Sequence, residues 1–235
     1  MSTQHALTYA GGIELNAGAL SAALIAAVNG LCDSAEDGSA GTALLIHLQA
    51  GPAPEATEPV DVSLVNQWER ALRRLERVGI PTVATVDGAC GACGLALLLA
   101  TDYRIVTPRL RLGLALGGEA ILPGMVLHRL ASQIGAAHAR RVALFGAELN
   151  AATASILGLA DLVSEEPAPA AAAFIGGLSG TTLSGLAVRR RLVLEASSGN
   201  YEDSLGTHLA ACDRALRAAV RADALLAETT EAVAA

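Results

Sequence analysis

Lysine is absent from this chain: all 16 basic residues are arginine. A nucleotide phosphate loop of the G-x-x-x-x-G-K-[ST] type is therefore excluded. Paired with abundant alanine, the missing lysine has the look of a GC-rich coding bias, and no further chemistry is read into it. Aromatic residues make up only 3% of the chain. Nowhere do about 20 apolar residues run uninterrupted, as a membrane-spanning helix requires. The N-terminus, MSTQHALTYAGGIELN, lacks a basic segment followed by an apolar one, so a cytoplasmic protein without a leader is expected. Basic residues are also outnumbered, 16 against 23 acidic, for a net charge of −7. That balance argues against a nucleic-acid groove, which needs a clustered basic face to neutralise phosphates. The exception is Arg189, Arg190 and Arg191, which read either as a solvated helix face or as a landing site for a phosphorylated ligand.

Cysteine is scarce too. Cys32, Cys90, Cys93 and Cys212 are too few for a disulfide scaffold in 235 residues. Cys90 and Cys93 form a C-x-x-C, but no second such pair and no histidine pair stands at ligand spacing, so no metal site is expected and these read as buried or incidental thiols.

An apolar fraction of 52% against 17% charged is enough for a globular domain with a full core. Thr42 to Leu48 is a continuous apolar run between Asp37-Gly38-Ser39 and Gly51-Pro52, which predicts a buried strand. From Val62, apolar residues recur at Val65, Trp68, Leu72, Leu75 and Val78 with charges between them. The spacing predicts an amphipathic helix ended by Gly79. Thr82 to Val86 predicts a strand running through Gly88, Gly91 and Gly94 into an apolar helix, Leu95 to Ala100, and further strand-like stretches lie at Tyr103 to Val106 and Leu110 to Ala115. The alternation points to an α/β architecture. From Met125 the pattern is mostly helical, with a loop expected around Glu166-Pro167 and Pro169. Leu205, Leu209, Cys212, Leu216 and Val220 stand at helical spacing near the end.

A strand that turns through glycines into a helix leaves helix N-terminal N–H groups pointing outward. Such a terminus attracts phosphate or a developing oxyanion. A tight turn needing glycine only for packing is the plainer alternative.

Read together, IPTVATVDGACGACGLALLLATDYRIV (Ile80 to Val106) resembles the signature segment of the crotonase (enoyl-CoA hydratase/isomerase) superfamily. Leu122-Pro123-Gly124 and LFGAELNAATASILGLADLV (Leu144 to Val163) extend the resemblance, which covers roughly residues 7 to 165. The tracts LVNQWERALRRLER and HLAACDRALR are most similar to the small auxiliary hydratase-like members that serve 3,5-dihydroxyphenylglycine biosynthesis. The resemblance implies a spiral of ββα turns over residues 1–165 and a C-terminal helical region, 166–235, packed on the core or on a neighbouring subunit in a homotrimer or hexamer. It implies no cofactor, with coenzyme A or a carrier protein bringing the acyl thioester.

Two backbone N–H groups would polarise the thioester carbonyl. One falls at Cys93, the middle of the family's glycine triplet, where cysteine keeps the N–H provided the backbone suits a residue with a Cβ. The other falls at Glu58, where the family's A-G-x-D reads Glu58-Pro59-Val60-Asp61. Gly91, Ala92, Gly94, Ala96, Leu116, Pro123 and Gly124 are the positions implied to line the substrate.

The chain departs from the family at the catalytic carboxylates. The two glutamate positions of a hydratase are occupied here by Ala96 and Leu116, which cannot transfer protons, so water addition by paired glutamates is unavailable. Glu119 stands as a displaced acid/base or as a plain loop residue, and His128 as a titrating group or a structural one. Three readings follow. The chain is an enzyme assisting dehydration and aromatisation of a polyketide thioester through an oxyanion hole. Or it is a degenerate scaffold supporting a type III polyketide synthase or an active hydratase homologue. Or it uses Cys93 as a thiol nucleophile, which needs a base the sequence does not reveal.

Overall fold

The computed structural model describes residues 12–49, 60–114, 124–178, 183–196 and 199–234. Strands β1 (Gly12–Asn16), β2 (Leu44–Gln49), β3 (Thr82–Asp87), β5 (Tyr103–Val106) and β8 (Leu162–Val163) form one parallel sheet in the order β1-β2-β3-β5-β8. A smaller sheet joins β4 (Ala89–Cys90) and β6 (Arg111–Leu112) in parallel, with β7 (Leu149–Asn150) antiparallel to β6. Between the strands come α1 (Ala22–Glu36), α2 (Val62–Leu75), α3 (Ala92–Leu99), α4 (Val126–Phe145) and α5 (Ala151–Ile156), and after them α6 (Pro167–Gly177), α7 (Leu183–Ala196) and α8 (Tyr201–Ala234). The expected α/β class is the one observed. The chain forms two compact units, Met1–Ala187 and Val188–Ala235. Among the described residues, no helix is long and apolar enough to cross a membrane.

Parallel strands covered on both faces need apolar residues at successive positions, and β2 and β3 supply them. Leu44, Ile46, Leu48, Ala84 and Val86 join the main core with Trp68, Leu72 and Leu75 of α2 and nearly all of α3. Leu45, Val83 and Ile105 alternate to the other face, against Ala171, Phe174 and Ile175 of α6. There Tyr103 and Phe174 stack with ring centroids 3.7 Å apart.

Several elements differ from expectation. Pro167 and Pro169 do not form a loop but open α6, because the first helical turn needs no N–H partner and proline's fixed φ suits it. Helix α2 ends at a cap on Glu76, three residues before Gly79, and Val62, at its first turn, faces solvent. The stretch from Leu110 pairs as a strand only over Arg111–Leu112, and Ala115 lies outside the described residues. Beyond Met125 the helical pattern is broken by β7 and β8, and α4 itself kinks at Gly135, whose φ of 77° is left-handed.

Helices α2 and α4 are locked by a half-buried ion triad. Arg129 of α4 donates from Nη1 and Nη2 to Glu69 at 2.9 and 2.8 Å, and from Nε and Nη2 to Glu76 at 2.5 and 3.2 Å. Glu69 stands on α2 and Glu76 is its C-cap. Burial pushes the Glu69 carboxyl up, but the Arg129 hydrogen bonds and charge, with the Met125 N–H, outweigh it and hold it below the ordinary carboxylate range. Since the folded value lies below the unfolded one, this stabilisation is present above the ordinary carboxylate range and is lost as pH falls through it. Arg129→Met is expected to cost about 1–3 kcal/mol, below the figure for a fully buried pair, by leaving two half-buried carboxylates without their cation. Urea unfolding at pH 7 checks this, and the gap between wild type and variant should shrink as the pH is lowered towards 4.

Candidate functional site

The turn between β3 and α3 is built by glycine at the positions that need it. Gly88, at φ 79°, reverses the chain after Asp87, and the two-residue strand β4 leads to Gly91, the N-cap of α3. No side chain caps this helix. The Leu95 N–H returns to the Gly91 carbonyl at 2.8 Å, closing the first helical turn. The N–H groups of Ala92, Cys93 and Gly94, in that first turn, have no intrahelical acceptor. Gly91 and Gly94, which flank Ala92 and Cys93, line an open cleft together with Ala17 and Gly18 after β1, Leu48 and Gln49 of β2, Val86 of β3, and Ala89 and Cys90. This is the carboxyl end of parallel strands, where α/β folds bind ligands.

Cys93 is the second residue of α3, and no non-glycine residue among those described has a positive φ. A side chain at this position therefore imposes no strain, and its backbone N–H is retained. The thiol itself turns inward, 5% exposed, within the core. Burial pushes it up to about 11. Burial, and then the neighbouring Cys93, push the Cys90 thiol up to about 12. A helix N-terminus ordinarily lowers a thiol, but here desolvation wins and both remain protonated at neutral pH. The geometry leaves Cys93 as an N–H donor and disfavours it as a nucleophile.

Gly94 is required by close approach. A Cβ built there would stand 2.5 Å from Cys90 Sγ. Ala96 is fully buried among the core side chains of α3 and does not line the cleft. Ala92 is half-buried and packs against the core. Gly124, at φ 63°, sits against Glu69, which also accepts from the Met125 N–H at 3.2 Å. Glu58, Leu116, Glu119 and Pro123 lie outside the described residues. Asp61, the one residue kept from the family's A-G-x-D, caps α2 by accepting from the Leu64 N–H at 2.7 Å. His128 is exposed on α4. Among the described residues no group of three or more His, Cys, Asp or Glu could hold a metal ion.

Sequence reasoning passed over the other end of α3. Arg104 is 8% exposed and donates to the carbonyls of Leu99, Thr101 and Gly158 at 3.5, 3.0 and 3.3 Å. Gln133 Nε2 adds a bond to the Leu99 carbonyl at 2.8 Å. A cation and an amide thus close the negative end of the short helix whose positive end opens on the cleft. Asp102 accepts from the Thr82 N–H and Oγ1, both at 2.8 Å, pinning the start of β3. Asp102, within the segment that carries the resemblance, is thus a strand anchor.

A strand–glycine turn–helix at the carboxyl edge of a parallel sheet is an arrangement in which α/β folds place ligand sites. The chain belongs to the enoyl-CoA hydratase/isomerase family, whose model matches residues 39–168. It is 42% identical over 198 residues to an enoyl-CoA hydratase of Amycolatopsis orientalis, covering 84% of this chain and 91% of that protein. The fold is that of the enoyl-CoA hydratase of Bacillus anthracis, with a TM-score of 0.76 at 20% identity over 86% of this chain and 85% of that one. An enoyl-CoA hydratase of Mycobacterium smegmatis gives 0.74 at 22% identity over 86% of each chain.

Two outcomes follow from the packing. Gly94→Ala is expected to cost about 1–3 kcal/mol by overpacking against Cys90, and Cys90→Ala in the same chain should recover part of it, which a double-mutant cycle in denaturant measures. At pH 8 iodoacetamide should label exposed Cys212 readily, leaving Cys90 and Cys93 unmodified until the protein unfolds.

Proposed function

We propose that this chain holds a β-ketoacyl thioester in the cleft and assists its dehydration and aromatisation, towards a product such as 3,5-dihydroxyphenylacetyl-CoA, by stabilising an enolate. Coenzyme A or a carrier protein brings the substrate, and no other cofactor takes part. The observation that carries this reading is the uncapped N-terminus of α3, whose Gly91 and Gly94 line the cleft and whose Cys93 N–H, between them in sequence, is retained in unstrained helical backbone. A proton between two carbonyls is already acidic. Once an intramolecular aldol addition has turned a ketone of the chain into a β-hydroxyl, the α-proton passes to a solvent base, the enolate oxygen rests on backbone N–H groups, and the C–O bond breaks, the hydroxide taking a proton from solvent to leave as water. One preorganised donor contributes about 2.7–4 kcal/mol in comparable sites, so an oxyanion hole alone is a substantial catalyst for so activated a substrate. Glu58 supplies the second N–H in this reading, and Glu119 is the acid/base candidate nearest in sequence to the vacated glutamate position. The working form is cytoplasmic and a homotrimer or hexamer, acting beside a type III polyketide synthase and a hydratase homologue.

The scaffold reading draws on a specific observation as well: Ala96 is fully buried, with no carboxylate in its place. A reconstituted assay separates the two, using malonyl-CoA, a type III polyketide synthase that forms dihydroxyphenylacetyl-CoA, and wild-type protein, Glu119→Gln or no addition. Wild-type protein should raise the yield of aromatic product. Equal stimulation by Glu119→Gln excludes that residue as acid/base, and stimulation without measurable acyl-CoA binding supports the scaffold. No stimulation by either contradicts the pathway.

A further inference from the structure

Of the glycines in the turn before α3, two are explained by the chain itself. Gly88 has a φ of 79°, and a Cβ at Gly94 would collide with Cys90 Sγ. Gly91 has neither reason. Its φ of −83° and ψ of −166° are extended backbone open to any residue, and a Cβ built on it meets nothing within 4 Å among the described residues. It is exposed and lines the cleft.

Gly91 also holds the position at which a side chain would serve the fold. At an N-cap, an oxygen of Ser, Asp or Asn accepts from the second or third helical N–H and stabilises the helix relative to glycine. Three other helices of the same unit use this device. Ser21 accepts from the Leu24 N–H at 3.2 Å, Asp61 from that of Leu64 at 2.7 Å and Asn150 from that of Thr153 at 2.9 Å. Each bond spans three residues, and the same step from Gly91 reaches Gly94, with Cys93 before it. An acceptor carried by residue 91 would therefore occupy the N–H groups that the thioester reading leaves to the ligand, on a stem rising from the lining of the cleft.

We infer that Gly91 determines access to this site: its missing side chain leaves the cap position to the ligand, whose thioester oxygen takes the hydrogen bond that Ser21, Asp61 and Asn150 make elsewhere. This rests on the thioester reading. At such a position fold stability is given up for binding, so the two move in opposite directions. Acetoacetyl-CoA, followed by its enolate absorbance, is titrated into wild type, Gly91→Asn and Gly91→Ala, with urea unfolding of each. Asparagine brings the oxygen without a charge that would repel the phosphates of coenzyme A, and alanine brings a methyl group and no acceptor. Gly91→Asn should raise the urea midpoint and weaken binding by about 10–100-fold, as expected for a lost hydrogen bond to a charged oxygen. Gly91→Ala should leave the midpoint at or below that of wild type and weaken binding less than Gly91→Asn does. Equal binding by wild type and Gly91→Asn, a lowered midpoint in Gly91→Asn, or weaker binding by Gly91→Ala than by Gly91→Asn overturns the inference and leaves the thioester reading standing. A wild type that does not bind the probe overturns both.

Discussion

The site depends on a helix with one open and one closed end. Helix α3 has eight residues, and its peptide dipoles have an effect only if its N–H end stays unpaired and its carbonyl end is neutralised. Gly91 leaves the first turn without a side-chain cap, while Arg104 and Gln133 draw off the carbonyls at the other end. Burying Arg104 costs desolvation, which pushes its guanidinium down from its ordinary value, with Asp161 and Asp102 opposing. A buried cation kept under that cost indicates how firmly α3 is held. Its position along the sheet is set from the strand side by Asp102 on Thr82 and, next to the turn, by Asp87, which accepts from Thr107 Oγ1 at 2.7 Å and Arg109 Nε at 2.9 Å.

In the proposed reading, the family's chemistry is reduced within that frame while its electrostatics are kept. Cysteine in place of glycine at position 93 preserves the N–H, because the residue lies inside a regular helix, not at a left-handed turn. Alanine at position 96, where the resemblance implies a glutamate, fills core volume. Both thiols are too well buried to replace it as a nucleophile. A site with donors and no described acid or base suits a substrate whose α-proton is already labile, and this joins the structural departure to the proposed reaction.

Much of this was legible from the residues. The unbroken apolar runs of β2 and β3, the amphipathic spacing of α2 and the glycine-to-helix transition each follow from a single periodicity or from glycine's freedom at positive φ. Other features depend on tertiary partners and leave no local mark. Pro167 and Pro169 punctuate a loop and a helix start equally well, and only the apolar seat beneath Phe174 decides for the helix. Arg104 and Arg129 look like ordinary surface charges in sequence. Their roles appear only when the Leu99 carbonyl, Glu69 and Glu76 come to them from 5 to 60 positions away. Ala96 read as a vacated site position, whereas its burial in the core became visible only with α3 in place.

The central claim is that the Cys93 backbone N–H, not its side chain, polarises the thioester. Its most direct test is the enolate absorbance of acetoacetyl-CoA titrated with wild-type protein, Cys93→Ala and Cys93→Pro. Proline is tolerated in a first helical turn, as Pro169 is in α6, and removes the donor together with the buried thiol, whose loss alone Cys93→Ala measures. Wild type and Cys93→Ala should bind and enolise alike, while Cys93→Pro should lose enolisation by about 10²–10³-fold with its helical circular dichroism unchanged. Equal enolisation by Cys93→Pro, or its loss in Cys93→Ala, would contradict the account.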